Sequence, residues 1–300
     1  MTDLSIIIIS YNTVNITKKC LDTVFESLKN ADFQTEIIVV DNNSTDESVE
    51  MLNGYRLQVA SYKKIFFQTI FSKENLGFAK GNNLAVRQAK GRNILFLNSD
   101  IEVIEDAIPK IYNYFIRQSK FSFVGGKLFN KDMSPQDSAA PFYSILVIVG
   151  ALFLRGDYLH ITRFSPNKTK QVDWVSGACI MTTRENYDKI GGFDENIFMY
   201  MDEVDLLYRA RTLGMLTGFY SDAHFIHLGS ASSRGRTQPI LQVYKGLLYF
   251  YKKHHNHFDN QVLKFLLHLK AYIAFIIGKI SKNHYLISTY AEALEIVKNN

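Results

Sequence analysis

Three short apolar runs in the first hundred residues each end in a cluster of Asn, Asp or Ser, and this pattern constrains the fold more than any other feature of the chain. Residues 4–9 run into Ser10-Tyr11-Asn12, residues 37–40 into Asp41-Asn42-Asn43, and residues 94–97 into Asn98-Ser99-Asp100. Short, continuous apolar runs bounded by polar turns read as strands buried on both faces. In an open parallel sheet the ligand lies outside the carboxyl ends of the strands. The three exits therefore outline one site, expected to hold a polar, phosphorylated and metal-bound ligand.

Helix signals separate the strands. Residues 16–28 place apolar side chains at helical spacing, Ser44-Thr45-Asp46-Glu47 opens a short helix with capping chemistry, and residues 78–89 follow a strand at 65–71. Strand, helix, strand at this spacing implies right-handed crossovers and a mostly parallel sheet flanked by helices, an α/β fold of doubly wound type. No G-x-G-x-x-G follows the first strand and no Walker loop is present, which weakens the nicotinamide and P-loop readings. Further on, residues 174–181 read as one more strand and residues 201–213 as a helix closed by Gly214.

Charge divides the chain. The net charge is +5, but residues 234–300 hold ten Lys/Arg against three Asp/Glu, which leaves −2 for residues 1–233. Residues 1–235 are expected to form the main domain and residues 236–300 a basic, amphipathic helical region. Within it residues 261–280 are strongly apolar but interrupted by Lys264, His268, Lys270 and Lys279. That fits a helix lying on a bilayer or on the domain better than one crossing a membrane. Residues 138–154 lack charge but contain Pro141 and Gly150; a core segment is the expected reading and a surface lip touching lipid the alternative. Cys20 and Cys179 cannot form a disulfide framework and read as buried thiols of a reducing compartment. With the first strand beginning at Leu4 and no basic leader, a cytoplasmic protein is expected, peripheral at the inner membrane face. No nucleic-acid partner is expected, and the sequence sets no oligomeric state.

Four groups of residues can carry chemistry. Asp41, at a strand exit, suits a base N–H or a ribose hydroxyl, or equally an Asx turn capping the next helix. The segment from Asn75 to Asn83 places Gly77 and Gly81 at a helix start, where free N–H groups favour an anion and glycine lets a ligand approach. Asp100 suits a hard divalent ion bridging a diphosphate, with His227 as a second ligand; either residue taken alone also reads as structural. Asp202, Glu203 and Asp205 open a helix after an apolar, aromatic flank, where partial desolvation raises a carboxyl pKa and favours a general base. Asp205 and Arg209 are spaced to pair along that helix.

In chain order the motifs are Ser10-Tyr11-Asn12, Val39-Val40-Asp41-Asn42-Asn43-Ser44-Thr45-Asp46, Asn75-Leu76-Gly77-Phe78-Ala79-Lys80-Gly81-Asn82-Asn83 and Leu97-Asn98-Ser99-Asp100. Val175-Ser176-Gly177-Ala178-Cys179, Gly191-Gly192-Phe193-Asp194-Glu195 and Tyr200-Met201-Asp202-Glu203-Val204-Asp205-Leu206 follow. Together they resemble the family 2 inverting glycosyltransferases of the GT-A fold, nearest the rhamnosyltransferase-like bacterial branch. Each motif alone is weak; seven in the right order are strong. The resemblance covers about residues 4–255, since residues 249–255 are similar to that branch's aromatic-basic end.

The resemblance implies a nucleoside-diphosphate sugar donor, Mg²⁺ or Mn²⁺, and single displacement at the anomeric carbon. On that pattern Ser10, Tyr11, Asn12 and Asp41 hold the base, Asn75, Gly77 and Asn82 lie along the nucleotide, and Asn43, Phe78, Asn98 and Ser99 complete the donor-binding set. Gly177 lies under the sugar. Asp100 matches the metal-binding aspartate of the family's Asp-x-Asp motif, whose first Asp is Asn98 here, and His227 matches a histidine that completes the metal or touches the diphosphate. The family's Glu-Asp pair is reversed as Asp202-Glu203, so Glu203 takes the base role by position, with Asp202 second. The implied donor is deoxythymidine-diphosphate rhamnose first and a uridine-diphosphate hexose or N-acetylhexosamine second. The implied acceptor is a hydroxyl of a glycan or lipid-linked sugar in cell-surface polysaccharide synthesis. Two rival readings are a non-catalytic sugar-nucleotide or membrane-surface binding protein and a nucleotidyltransferase; the latter would need a basic, Gly-rich loop where Ser10-Tyr11-Asn12-Thr13 stands.

Overall fold

The computed structural model describes residues 2–58, 64–229 and 237–300. Its centre is a nine-stranded sheet in the order β3-β2-β1-β4-β10-β6-β11-β5, with β8 paired to β11. The strands are β1 Leu4–Ser10, β2 Thr35–Asp41, β3 Ile65–Phe71, β4 Asn93–Asn98, β5 Ile101–Val103, β6 Phe123–Phe129, β8 Lys170–Val172, β10 Cys179–Thr183 and β11 Thr217–His227; β7 Ala139–Ala140 and β9 Trp174–Val175 form a separate ribbon.

Both faces of the sheet are buried, as continuous apolar runs require. Leu4, Ile6 and Ile8 of β1, Ile37 and Val39 of β2 and Leu95 and Leu97 of β4 face one layer, where helices α1 Val14–Leu28, α2 Ser48–Gln58 and α4 Ala107–Arg117 pack. The alternate residues Ile7, Ile38, Val40, Ile94 and Phe96 face the other. That layer holds α3 Gly77–Gln88, α6 Arg184–Ile190 and α7 Asp202–Thr212. The period of two in the side chains produces this split, and each fully buried aliphatic side chain contributes about 1.5–3 kcal/mol.

Register brings the polar exits together. Strands β1, β2 and β4 are parallel, with Ser10 opposite Asp41 and Ile9 opposite Asn98. Strand β10 is antiparallel to both β4 and β6, so β6 runs with β4, and β11 is parallel to β6. His227, the last residue of β11, therefore leaves the sheet at the edge where Asn98 and Asp100 leave β4. Because Cys179 lies opposite Leu97, β10 also starts at that edge, and Gly177 and Ala178 sit just before it.

Two expectations need correction. Residues 174–181 are not one strand: β9 and β10 belong to different sheets, and Ser176-Gly177-Ala178 turn between them, with the Cys179 N–H bonded to Ser176 O. The apolar run concealed a break that delivers Gly177 to the site. Residues 138–154 are core only at their start. Ser138, Ala139 and Ala140 are buried, whereas helix α5 Ile145–Phe153 buries Ile148 and leaves Leu146 83% exposed, because one helical turn against the core satisfies a single face.

The boundary expected between residues 235 and 236 lies outside the described residues. Helices α8 Thr237–His254, α9 His257–Ile280 and α10 His284–Lys298 follow it. Leu241, Tyr244, Leu248 and Tyr251 of α8, Leu263 and Leu267 of α9 and Ala293 of α10 join the same cluster as Ile7 and Phe96. Among the described residues α9 is the one helix long and apolar enough to cross a membrane, but it lays Leu263, Leu267, Ala271 and Gly278 against the protein. Its opposite side exposes Phe258, Phe265, Tyr272, Ile277 and Ile280.

Candidate active site

At the end of β4, Asp100 is nearly buried, and its Oδ1 lies 3.3 Å from His227 Nε2. The tautomer of His227 follows from its neighbours. Gln136 Nε2 donates to the His227 carbonyl at 3.1 Å and to Asn130 Oδ1 at 2.9 Å, so the amide must turn its oxygen toward His227 Nδ1, 2.7 Å away. Nδ1 thus carries a hydrogen, which leaves Nε2 as the ring atom that faces the Asp100 carboxylate. With Nε2 unprotonated, the ring nitrogen and the carboxylate are two acceptors that a cation can bridge. Asn98 Nδ2 approaches Nε2 at 3.4 Å, while Asn98 Oδ1 is buried with no hydrogen-bond partner among the described residues. An imidazole nitrogen, a carboxylate and an adjacent amide oxygen suit Mg²⁺ or Mn²⁺, whose remaining positions go to water and phosphate oxygens. The residues present fit such an ion, although no group of three His, Cys, Asp or Glu side chains gathers among the described residues.

The second corner forms around α7. Tyr200 and Met201 both adopt left-handed backbone (φ 61° and 68°) just before Asp202, and two such non-glycine residues in a row store strain. Helix α8 clamps the turn: a side chain at Gly246 would come within 2.8 Å of Met201 Cγ. Asp202 is 3% exposed, and its carboxyl is pushed well above the usual range by burial and then by the Glu203 charge. Glu203 is raised by burial, opposed by N–H groups of its own residue and Gly177 and by the Arg163 charge. The hydrogen bond between the two carboxyls raises Asp202 and lowers Glu203. Asp202 therefore holds the proton and donates it, leaving Glu203 the better base.

A β-carbon on Gly177 would stand 3.5 Å from Glu203 Cβ and 3.6 Å from Phe78 Cζ. The next residue, Ala178, accepts from the Asn98 N–H at 3.1 Å. Residues 177 and 178 thus link the Asp100–His227 corner to the Asp202–Glu203 corner. Asp205 is held apart from this chemistry. Against the burial that raises it, His254, Arg209 and Lys253 hold its carboxyl below the usual range, with Arg209 Nε at 2.7 Å, Lys253 Nζ at 2.7 Å and His254 Nε2 at 2.7 Å. Lys253 also meets Asp194 at 2.6 Å. Part of the basic charge counted in residues 234–300 is spent here, fixing α8 to α7.

The third corner joins β1 to β2. Asp41 Oδ2 accepts from the Ser44 N–H at 3.0 Å, while its Oδ1 is buried without a partner. The Asn12 amide oxygen accepts from the Thr45 N–H at 2.7 Å, and Asn42 Nδ2 donates to Gly77 O at 3.0 Å. Tyr11 and Ser99 are half-buried at the same edge, and Asn43 and Asn75 are exposed. Three expectations change. Ser10 turns inward, fully buried, with its hydroxyl 2.9 Å from Thr17 Oγ1, so it braces the loop from below. Asn82 is buried and donates to Phe78 O at 2.9 Å, a bond within its own helix. The first turn of α3 is not an open anion site: the Phe78 N–H is given to Phe198 O at 3.1 Å, and a Cβ on Gly77 (φ 72°) would come within 2.6 Å of that oxygen.

Gln136, Arg163 and the Ala178 carbonyl had no signal in the sequence. Gln136 lies in a turn 91 positions from the histidine it orients, and Arg163 follows an irregular stretch without periodicity.

The family model Glycosyl transferase family 2 matches residues 5–191. The chain is 27% identical to the low-salt glycan biosynthesis hexosyltransferase Agl10 of Haloferax volcanii over 250 residues, 81% of this chain and 73% of that one. It is 24% identical to the N-acetylglucosaminyl-diphospho-decaprenol L-rhamnosyltransferase of Mycobacterium tuberculosis over 219 residues, covering 67% of this chain and 68% of the relative. Among solved structures, the mannosyltransferase PcManGT of Pyrobaculum calidifontis with GDP-Man and Mn²⁺ superposes with a TM-score of 0.59 at 15% identity, over 99% of this chain and 75% of that one.

Proposed function

The chain belongs to glycosyl transferase family 2, and from that premise we propose that it moves a sugar, rhamnose before other hexoses, from a nucleoside-diphosphate donor to a hydroxyl of a lipid-linked acceptor with inversion. The observation that carries this reading is the Asp202–Glu203 pair beside Gly177, one residue from the carbonyl that anchors Asn98. Glu203 accepts the acceptor hydroxyl's proton; that oxygen bonds to the anomeric carbon as the bond to the diphosphate oxygen breaks, and the nucleoside diphosphate leaves with the electron pair. Asp202 stays protonated and fixes Glu203 by its hydrogen bond. Asp100 and His227 would hold the divalent ion, with Asn98 beside them. When bound there, that ion supplies charge neutralisation at the departing diphosphate. Asp41, Tyr11 and Asn12 would take the base of the donor, a reading supported by the buried Asp41 Oδ1, which suits a base N–H.

The acceptor class draws on two supports: the Mycobacterium relative's name contains a diphospho-lipid sugar, and α9 presents an apolar face with Lys264, Lys270 and Lys279 on the same helix. A cation-flanked apolar helix suits the headgroup region of an anionic bilayer, which supports a peripheral membrane location.

The test is a thermal-shift panel of dTDP-, UDP- and GDP-sugars with and without Mn²⁺, followed by donor hydrolysis in wild type and Glu203→Gln. Metal-dependent stabilisation by one donor, with hydrolysis lost and nucleotide affinity kept in the variant, supports the reading. Hydrolysis undiminished in Glu203→Gln removes Glu203 from the base role, and binding without turnover by wild type makes the protein a binder.

A further inference from the structure

Among the described residues Arg163 makes no salt bridge, and its charge acts on the candidate base. Its position is set by the backbone, because the next residue, Phe164, exchanges hydrogen bonds with Ala139 at 2.8 and 3.0 Å. The guanidinium lies 5.4 Å over the ring of Trp174, whose indole N–H is tied to Pro141 O at 2.9 Å. Trp174 opens the short segment that reaches Gly177, against Glu203. Arg163 Nε is buried with no hydrogen-bond partner, and among the described residues Arg163 forms no ion pair. The guanidinium's charge nevertheless reaches both Glu203 and the half-buried Tyr143. A half-buried, stacked guanidinium with a buried, unpartnered Nε is satisfied by an anionic ligand, and its fork geometry favours phosphate.

The residues just before it give the rest of that ligand. Tyr158, Leu159 and Ile161 are exposed apolar side chains, as is Leu154 at the end of α5. A cation and an apolar lip within a few residues complement an amphiphile with a phosphate at its head. We infer that Arg163 reads the acceptor, binding the phosphate through which the acceptor sugar is joined to its lipid while the sugar hydroxyl reaches Glu203. This rests on the glycosyl-transfer reading above and adds to it a specificity residue for the acceptor.

Three synthetic acceptors separate the sources of recognition: N-acetylglucosaminyl diphosphate esterified to a long alkyl chain, the same compound with a methyl ester, and a long-chain alkyl N-acetylglucosaminide with no phosphate. Each is assayed with the donor found by thermal shift, in wild type, Arg163→Gln and Arg163→Lys, and nucleotide affinity is measured by calorimetry. Wild type should show KM values at least about tenfold lower for both diphosphates than for the glycoside, a gap of about 1.4 kcal/mol. Arg163→Gln should erase that gap by raising KM for the diphosphates alone, Arg163→Lys should restore part of it, and nucleotide affinity should hold. Equal KM values for all three acceptors in wild type, an equal loss on all three in Arg163→Gln, or a loss of nucleotide affinity in place of acceptor KM would each overturn the inference, the last by moving Arg163 to the donor diphosphate. A wild type that neither hydrolyses any donor nor uses any acceptor overturns the underlying transferase reading and the inference with it.

Discussion

Gln136 holds His227 at both ends, its oxygen accepting from Nδ1 at 2.7 Å and its nitrogen donating to the His227 carbonyl at 3.1 Å. One amide thus sets tautomer and ring orientation together, and a support of this kind is worth about 10–100-fold in metal affinity. Gln136→Ala should weaken Mn²⁺ binding within that range without unfolding the chain, measured by titrating Mn²⁺ against the protein with nucleoside diphosphate present. Gln136→Glu should recover part of that loss, because a carboxylate still accepts from Nδ1 but cannot donate to the His227 carbonyl or Asn130 Oδ1. A Gln136→Ala protein with unaltered Mn²⁺ affinity would separate His227 from the metal.

The coupled carboxyls 202 and 203 give opposite substitution effects. Glu203→Gln should lower transfer by about 10²–10⁴-fold, the usual worth of a general base. Asp202→Asn keeps a donor for Glu203 and should cost far less. Stability should move the other way. Asp202 has a folded pKa above its unfolded one, so its contribution is present at low pH and lost as pH rises through the raised value. Asp202→Asn should therefore be more stable than wild type at alkaline pH and gain nothing near pH 3, as read by urea denaturation across pH. Because Glu203 is also raised, the acid limb of the rate profile should lie above the ordinary carboxylate range.

Two glycines on either side of Phe78 should respond differently to one added methyl. Gly77 has φ 72° and faces Phe198 O at 2.6 Å, so Gly77→Ala meets backbone strain and a clash that only moving residues 198–201 can relieve. A stability loss above about 1 kcal/mol is expected, with activity falling because Asp202 follows that turn. Gly177 has ordinary backbone and contacts no closer than 3.5 Å. Gly177→Ala should fold normally yet raise the donor KM, since the methyl enters the space over Glu203. Thermal melts and donor kinetics on the pair distinguish the two.

Much of this was legible in the sequence because strand exits are a local signal. Ser10, Asp41, Asn98 and Asp100 follow apolar runs whose register then fixes them on one edge. Helix α7 declared itself by its acidic first turn, and the pairing of Asp205 with Arg209 by its spacing of four. The failures share a cause. Periodicity could not reveal that Ser176-Gly177 breaks an apolar run, since burial on both sides of the break looks continuous. Nor could it show that Ser10 and Asn82, polar at the right places, spend their hydrogen bonds inward. Gln136 and Arg163 act across distances in sequence that no local pattern encodes.

The Asp205 cluster predicts that α8 is required for the site in front of it. Asp205 has no exposed side-chain surface, and Arg209, Lys253 and His254 converge on it. Neutralising Asp205 takes the carboxylate from the largely buried Arg209 and His254, while Lys253 keeps Asp194, so the loss should fall below the penalty of about 3–5 kcal/mol for a broken, fully buried pair. Asp205→Asn should lower the melting temperature by several degrees at neutral pH. Its depressed pKa means that the wild-type advantage is present above the unfolded value and is lost as pH falls through the folded one, so the two proteins should converge in strong acid.

The last prediction concerns α9. One stripe of the helix, Leu263, Leu267 and Ala271, is spent on the core, whereas Phe265, Tyr272, Ile277 and Ile280 stay more than half exposed and can meet lipid. Helix α5 packs against it, with Lys270 Nζ 6.0 Å from the Phe153 ring, which brings exposed Leu146 and Leu154 into the same neighbourhood. Apolar burial in the interface and attraction of lysines to anionic lipid add, the latter worth about 1 kcal/mol per cation. Wild type should sediment with vesicles containing a third phosphatidylglycerol, bind neutral vesicles weakly, and release as salt rises. Phe265→Glu with Ile277→Glu should abolish sedimentation while leaving donor hydrolysis intact and changing the melting temperature little, because both side chains are more than half exposed. If the double variant still sediments, the membrane face lies elsewhere; if it unfolds, those residues cover protein rather than lipid.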